Sequence, residues 1–135
     1  MAAEAKIAWW RAAAAAVAAL IAVVALMIAT NQLLVADLRV LAVGTAAFAA
    51  VTLPLAALWH GLGGYLCAAL ARDSPLAAVE VVILGFAMMA GSVVNTWTIV
   101  PPWYSLAMLV LAPVCLWLGT RAHLRRRAAA RPAAA

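Results

Sequence analysis

Four acids, two His and two Cys are the groups from which this chain can build a reactive centre. Glu80 is foremost among them. It falls about 9 Å inside an apolar segment that opens at Pro75. A charged carboxylate at that depth is costly by a few kcal/mol on insertion scales, and such groups are functional candidates by default, although the position is shallow rather than central. The structural alternatives are a protonated acid, a side chain that snorkels to the near interface, or a hydrogen bond to a neighbouring helix. Tyr65 is the partner that the spacing offers. If the preceding helix continues to Ala71, Tyr65 lies at the depth of Glu80, within hydrogen-bonding reach across the hairpin.

His60 sits deeper still in that reading and has the chemistry to carry a proton or ligate haem iron. Haem b held in a membrane bundle needs a second histidine on a facing helix. The other one here, His123, lies in a basic tail, so a helix end or a satisfied polar contact is the expected role for His60. Asn95 is expected to be the most buried polar group toward the opposite end, and an interhelical hydrogen bond is its expected task. Cys67 and Cys115 have no paired spacing, which points to small apolar packing residues rather than a disulfide or metal pair. There is no nucleophile elbow, zinc-type His/Glu spacing, phosphate-binding glycine loop or close pair of acids. The expectation is therefore a protein without catalysis, cofactor or metal.

The elements that position these groups follow from composition. Apolar residues make up 70% of the 135 and charged residues 10%, with a mean hydropathy of +1.13. Soluble chains are about half apolar and about a quarter charged, so the expected fold class is an all-α polytopic membrane protein. A bilayer core about 30 Å thick needs about 20 apolar residues per helix, and four such spans fit. They are expected at about 8–30, at 40–60 with a possible extension to 71, at 75–97 and at 102–119, in an antiparallel bundle. Ser74 suits an N-cap and Pro75 a first helical turn. Pro101 and Pro102 separate the last two spans, and bends are expected at Pro54 and Pro113.

The second span is the ambiguous one. From Val40 to Ala71 a helix measures roughly 48 Å, longer than a bilayer core. Either it stops near Trp59 and the following residues lie on the membrane surface, or one long helix bends at Pro54. Gly61, Gly63 and Gly64 weaken a helix in water, but in lipid the backbone has no better partner than itself, which favours the long helix. Two small-residue stripes, Ala42/Ala46/Ala50 and Ala87/Gly91, allow close helix approach. Alanine makes up more than a quarter of the chain, so such stripes arise easily by chance and are taken as packing.

Charge sets the expected orientation. With four spans both termini share a side, which collects Lys6, Arg11, Arg72, Arg121, Arg125, Arg126, Arg127 and Arg131 against Arg39 opposite. The positive-inside rule then places both termini in the cytoplasm and the chain in the plasma (inner) membrane. Trp9, Trp10 and Trp117 are expected at the cytoplasmic interface, and Trp97, Trp103 and Tyr104 at the outer one. Cleavage of the first helix as a signal peptide is disfavoured, because its apolar run is too long and Met27-Ile28-Ala29 lacks the small residue expected three before a cleavage point; a transit peptide fits less well still. Residues 121–135 read as a basic, disordered tail, whose Arg121, Arg125, Arg126 and Arg127 suit anionic headgroups at about 1 kcal/mol each. Without interleaved aromatics or a recognition fold, nucleic acid is not an expected partner.

Three function classes fit. The leading one is a non-catalytic accessory subunit that packs against a larger membrane complex, since low polar content inside the spans suits helix packing. The alternative is a small homo-oligomeric transporter or channel with Glu80 as its coupled site. A holin-like pore former comes last.

Overall fold

The computed structural model describes residues 2–34, 45–72 and 74–130, with the side chains of residues 2–8 and 75 outside that description. It is all-helical. In order, α1 spans Ala2–Gln32, α2 Ala46–Leu70, α3 Pro75–Thr96 and α4 Pro102–Ala130. Each is long and apolar enough to cross a membrane. The expected start of the second span near Val40, its Ala42, and Asp37, Arg39, Asp73 and Arg131 lie outside the described residues.

Thr45 opens α2, its Oγ1 accepting a hydrogen bond from the Phe48 amide at 3.2 Å, which satisfies one of the free amides of the first turn. The helix then runs through Pro54 and the glycine cluster without a break at residue 60. At the α2–α3 turn Arg72 has φ 52°, a left-handed conformation that reverses the chain. Ser74 takes the N-cap position of α3, yet its hydroxyl makes no capping bond. Pro75 has no amide to offer, and the Ala77 N–H already donates to the Ser74 carbonyl at 3.2 Å. The α3–α4 turn is closed by the Ile99 and Val100 amides, both donating to Thr96 O.

The fourth helix passes residue 119, where the apolar text ends, and continues through Arg121–Arg127 to Ala130. Residues 121–130, expected to be disordered, are helical. His123 is accordingly no tail residue: it is 9% exposed and ends a stripe of Ser105, Met108, Ala112, Leu116, Thr120 and His123 that α4 buries. The three- and four-residue spacing of that stripe keeps it on one face of a helix.

The bundle has two dissimilar ends. At the end that holds the chain termini, Ala12, Ala15, Ala16, Ala19 and Leu20 of α1 pack with Cys67, Ala71, Ala77, Val81 and Leu116 in one cluster. Side chains this small let the helix axes come close. The closest approach is between α2 and α4. A Cβ on Gly64 would collide with the Leu116 carbonyl, and one on Gly119 with the Gly61 carbonyl. Leu116, fully buried, fills the space that Gly63, Gly64 and Gly85 leave open on α2 and α3. Thr120 Oγ1 lies 3.2 Å from Gly64 O and 2.9 Å from Leu116 O, so its hydroxyl ties α4 to the α2 backbone. At the other end, where Thr45 opens α2 and α3 turns into α4, larger side chains line a cavity between the helices.

The alanine stripes do not make these contacts. Ala46, Ala50 and Ala87 are exposed, and a Cβ on Gly91 would meet nothing within 4 Å. Close packing is carried by the glycines that sequence alone marks as a weakness of α2.

Candidate functional site

Glu80 lies one turn beyond Ala77 on α3, at the tightly packed end. Its Oε2 is buried and meets no hydrogen-bond partner among the described residues. The expected bond from Tyr65 is not formed. Tyr65 instead sets its ring edge-on against His123 of α4, with centroids 4.8 Å apart and planes at 85°. The residue of α2 that faces α3 is Cys67, whose thiol donates to Ala77 O at 3.6 Å. Two residues along a helix turn the side chain by about 200°, so with Cys67 on α3, Tyr65 must point away from it. The direction of the Tyr65 side chain is what keeps it from Glu80.

His60 is 2% exposed, and its Nδ1 lies 2.6 Å from the Ala56 carbonyl, one turn back on the same helix. A carbonyl can only accept, so Nδ1 carries the proton. The ring is thus held by its own helix, and no described contact brings it to Glu80. Asn95 also departs from expectation. It is exposed, and its Nδ2 donates to Gly91 O at 2.9 Å within α3 rather than to another helix. It lies on the exposed face of α3 with Ala87 and Gly91, whereas Val93 and Thr96 beside it are partly covered. Cys67 is buried and Cys115 half-buried, and both are free thiols.

Tyr104, expected as an interfacial anchor, turns inward. Its hydroxyl donates to Thr52 Oγ1 at 3.0 Å, and its ring lies 5.8 Å from that of Phe48. Thr52 in turn donates to Phe48 O at 2.8 Å. Nearby, Trp59 Nε1 donates to Thr30 Oγ1 at 3.1 Å, and Thr30 donates to Leu26 O at 2.7 Å. These two chains of hydrogen bonds link α4 to α2 and α2 to α1 at the loop end. Beside them lies a cavity of about 340 Å³ between the helices, with Ser105 among the residues that line it. Ser105 Oγ is buried without a hydrogen-bond partner among the described residues. Single Ser and Thr residues such as Thr52 and Ser105 carry little signal in a sequence. The stripe from Ser105 to His123 was the available clue.

At the opposite end Arg121 places its guanidinium 4.4 Å from the centroid of the Trp117 ring. Arg125, Arg126 and Arg127 are exposed on the same helical extension. Trp9 and Trp10 are exposed and pack edge-on at 4.9 Å. No group of three or more His, Cys, Asp or Glu that could hold a metal occurs among the described residues. The chain matched no protein family, no curated protein and no solved structure.

Proposed function

We propose that this is a non-catalytic accessory subunit of a larger membrane complex, an antiparallel four-helix bundle in the plasma (inner) membrane with both termini in the cytoplasm. Support for the topology comes from the order of contacts. Thr30 and Trp59 meet at one end of α1 and α2, while Val23 and Ala19 meet Gly63 farther on, so those two helices run oppositely. The Arg121–Arg127 turns then fall at the cytoplasmic headgroups, where cations beside anionic lipid are favourable.

One observation carries the subunit reading: the outward face of α3. Ala87, Gly91 and Asn95 are exposed on a single stripe of a helix that has less of its surface covered than the other three. Lipid tails gain nothing from a glycine groove or a carboxamide, whereas a second membrane helix packs closely on the first and can bond the second. The test is native mass spectrometry of the protein extracted gently from its host membrane. A stoichiometric second polypeptide, lost in Gly91→Leu while the bundle keeps its own stability, is the expected result. A clean monomer or homo-oligomer refutes it.

Glu80 supports a second reading, a homo-oligomeric transporter or channel, because its buried Oε2 lacks a partner among the described residues. Loss of transport in Glu80→Gln with normal insertion would favour it, and unchanged transport would remove Glu80 as its site.

A further inference from the structure

The loop-end cavity offers an arrangement that neither reading uses. Its walls include Met27, Met89 and Met108, one each from α1, α3 and α4, with Phe48 and Tyr104. None of the described side chains lining it is charged. A charged ligand would be stranded there without a counter-charge, so the cavity selects neutral molecules. Its size falls in the range of small-molecule sites, which are mostly apolar with a few placed polar groups. Thioether side chains are unbranched and rotate freely, so three of them can follow the outline of a variable apolar body.

Asn31, Ser92, Thr96, Tyr104 and Ser105 supply the polar lining, and of these Ser105 has the buried hydroxyl that lacks a partner among the described residues. The buried threonines of the molecule, Thr52 and Thr120, both turn their hydroxyls back to the carbonyl four residues earlier, on Phe48 and Leu116. Thr30 and Thr96 do the same. Ser105 does not: the Pro101 carbonyl accepts from its amide at 3.3 Å, and Oγ, on a residue 3% exposed, has no partner among the described residues. An unmade hydrogen bond on a buried hydroxyl is unfavourable, and Ser105 is among the residues that line the cavity. Beside it, Tyr104 has committed its proton to Thr52 and offers lone pairs only.

We propose that this cavity binds a neutral, predominantly apolar molecule through a carbonyl oxygen that accepts from Ser105 Oγ. Two sources share that chemistry, the acyl ester of a membrane lipid and a free apolar carbonyl compound.

The probe is a medium-chain methyl ester carrying a mid-chain diazirine, photolysed with the full-length protein in lipid nanodiscs, and its adducts are mapped by mass spectrometry. Adducts are expected on the Met89–Val100 and Ser105–Met108 segments. Methyl decanoate should compete and decane, which lacks the oxygen, should compete about fivefold less well, the size of one neutral hydrogen bond. Ser105→Ala should lower labelling by a similar factor, and the competition arm needs no variant. Labelling that rises in discs of ether-linked lipid identifies the lipid ester as the occupant. Equal labelling in ester and ether discs identifies a free carbonyl compound. Adducts spread over the lipid-facing surface, or decane competing as well as the ester, overturn the proposal.

Discussion

The two ends of this bundle solve the same packing problem in opposite ways. At the terminal end the helices touch through alanine and glycine, and α2 and α4 meet backbone to backbone at Gly61, Gly64 and Gly119. At the loop end three methionines, a phenylalanine and a tyrosine hold the helices apart around a cavity. Lipid tails are as apolar as the side chains, so burial alone does not drive helices together in a bilayer. Close van der Waals contact and interhelical hydrogen bonds do. Small residues therefore make the adhesive end, and large flexible ones make the adaptable end. Stability and accommodation are separated along one set of helices, as expected where a mobile, ligand-taking region is drawn from the less stable part of a structure.

The largest effect should come from filling the closest crossing. In Gly64→Val the added carbons have no space, because the atom in the way is the Leu116 main-chain carbonyl rather than a rotatable side chain. The helices must separate, and a loss of about 3 kcal/mol or more is expected in denaturation by sodium dodecyl sulfate from mixed micelles. Gly91→Val is the paired control. Nothing lies within 4 Å of its Cβ position, so the isolated bundle should change by less than about 0.5 kcal/mol. Similar losses for both variants would dissolve the distinction between an internal glycine crossing and an outward-facing one.

Next in size is truncation at each end. Leu116 is fully buried between Gly63, Gly64 and Gly85, so Leu116→Ala opens a hole that rigid backbones cannot close, at about 3 kcal/mol. Met108 borders existing space. One side of its side chain already lacks neighbours, and Met108→Ala should cost about 1 kcal/mol. Equal costs in the same unfolding assay would mean that the loop end is packed as tightly as the other.

How much of this was legible beforehand depended on which coordinate was asked for. Position along the membrane normal follows from counting residues, and hydropathy revealed four helices able to span. Rotation about each helix axis does not follow from counting in a chain so uniformly apolar. An amphipathic helix in water shows which face is buried, but here both faces of every span are apolar, and the contrast that would orient Tyr65 or Asn95 is missing. Tyr65 consequently went to His123 rather than Glu80, and Tyr104 went inward rather than to the interface. The end of α4 escaped for a different reason. A cluster of arginines reads as solvated tail, yet arginine is a good helix former, and Thr120 and His123 have α2 to pack against.

A smaller effect is expected where a single hydroxyl joins two helices. Tyr104→Phe removes the bond to Thr52, whose oxygen keeps its own bond to Phe48 O, so no buried donor is stranded. Membrane interhelical bonds average about 0.6 kcal/mol, and a loss of that order is expected by the same unfolding measurement. A loss above about 2 kcal/mol would show that the loop end depends on this link as strongly as the terminal end depends on its glycines.

Ser105→Ala should have the smallest effect on stability, and its sign is informative. Removing a hydroxyl usually destabilises because its partner is left unsatisfied, but Ser105 Oγ has none. Alanine keeps the backbone and Cβ, is the better helix former, and removes the desolvated polar atom. Without a ligand the variant should be neutral or stabilised by about 0.5–1 kcal/mol. The ligand proposal makes a further demand. In the presence of a bound carbonyl compound the wild type gains stability by mass action and the variant gains less, so the order of the two proteins should reverse as methyl decanoate is added. The reversal would separate a hydroxyl kept for binding from one that merely lacks a partner. If Ser105→Ala were destabilised at every ester concentration, the hydroxyl would have a partner within the fold, and the loop end would lose its claim to be the adaptable half.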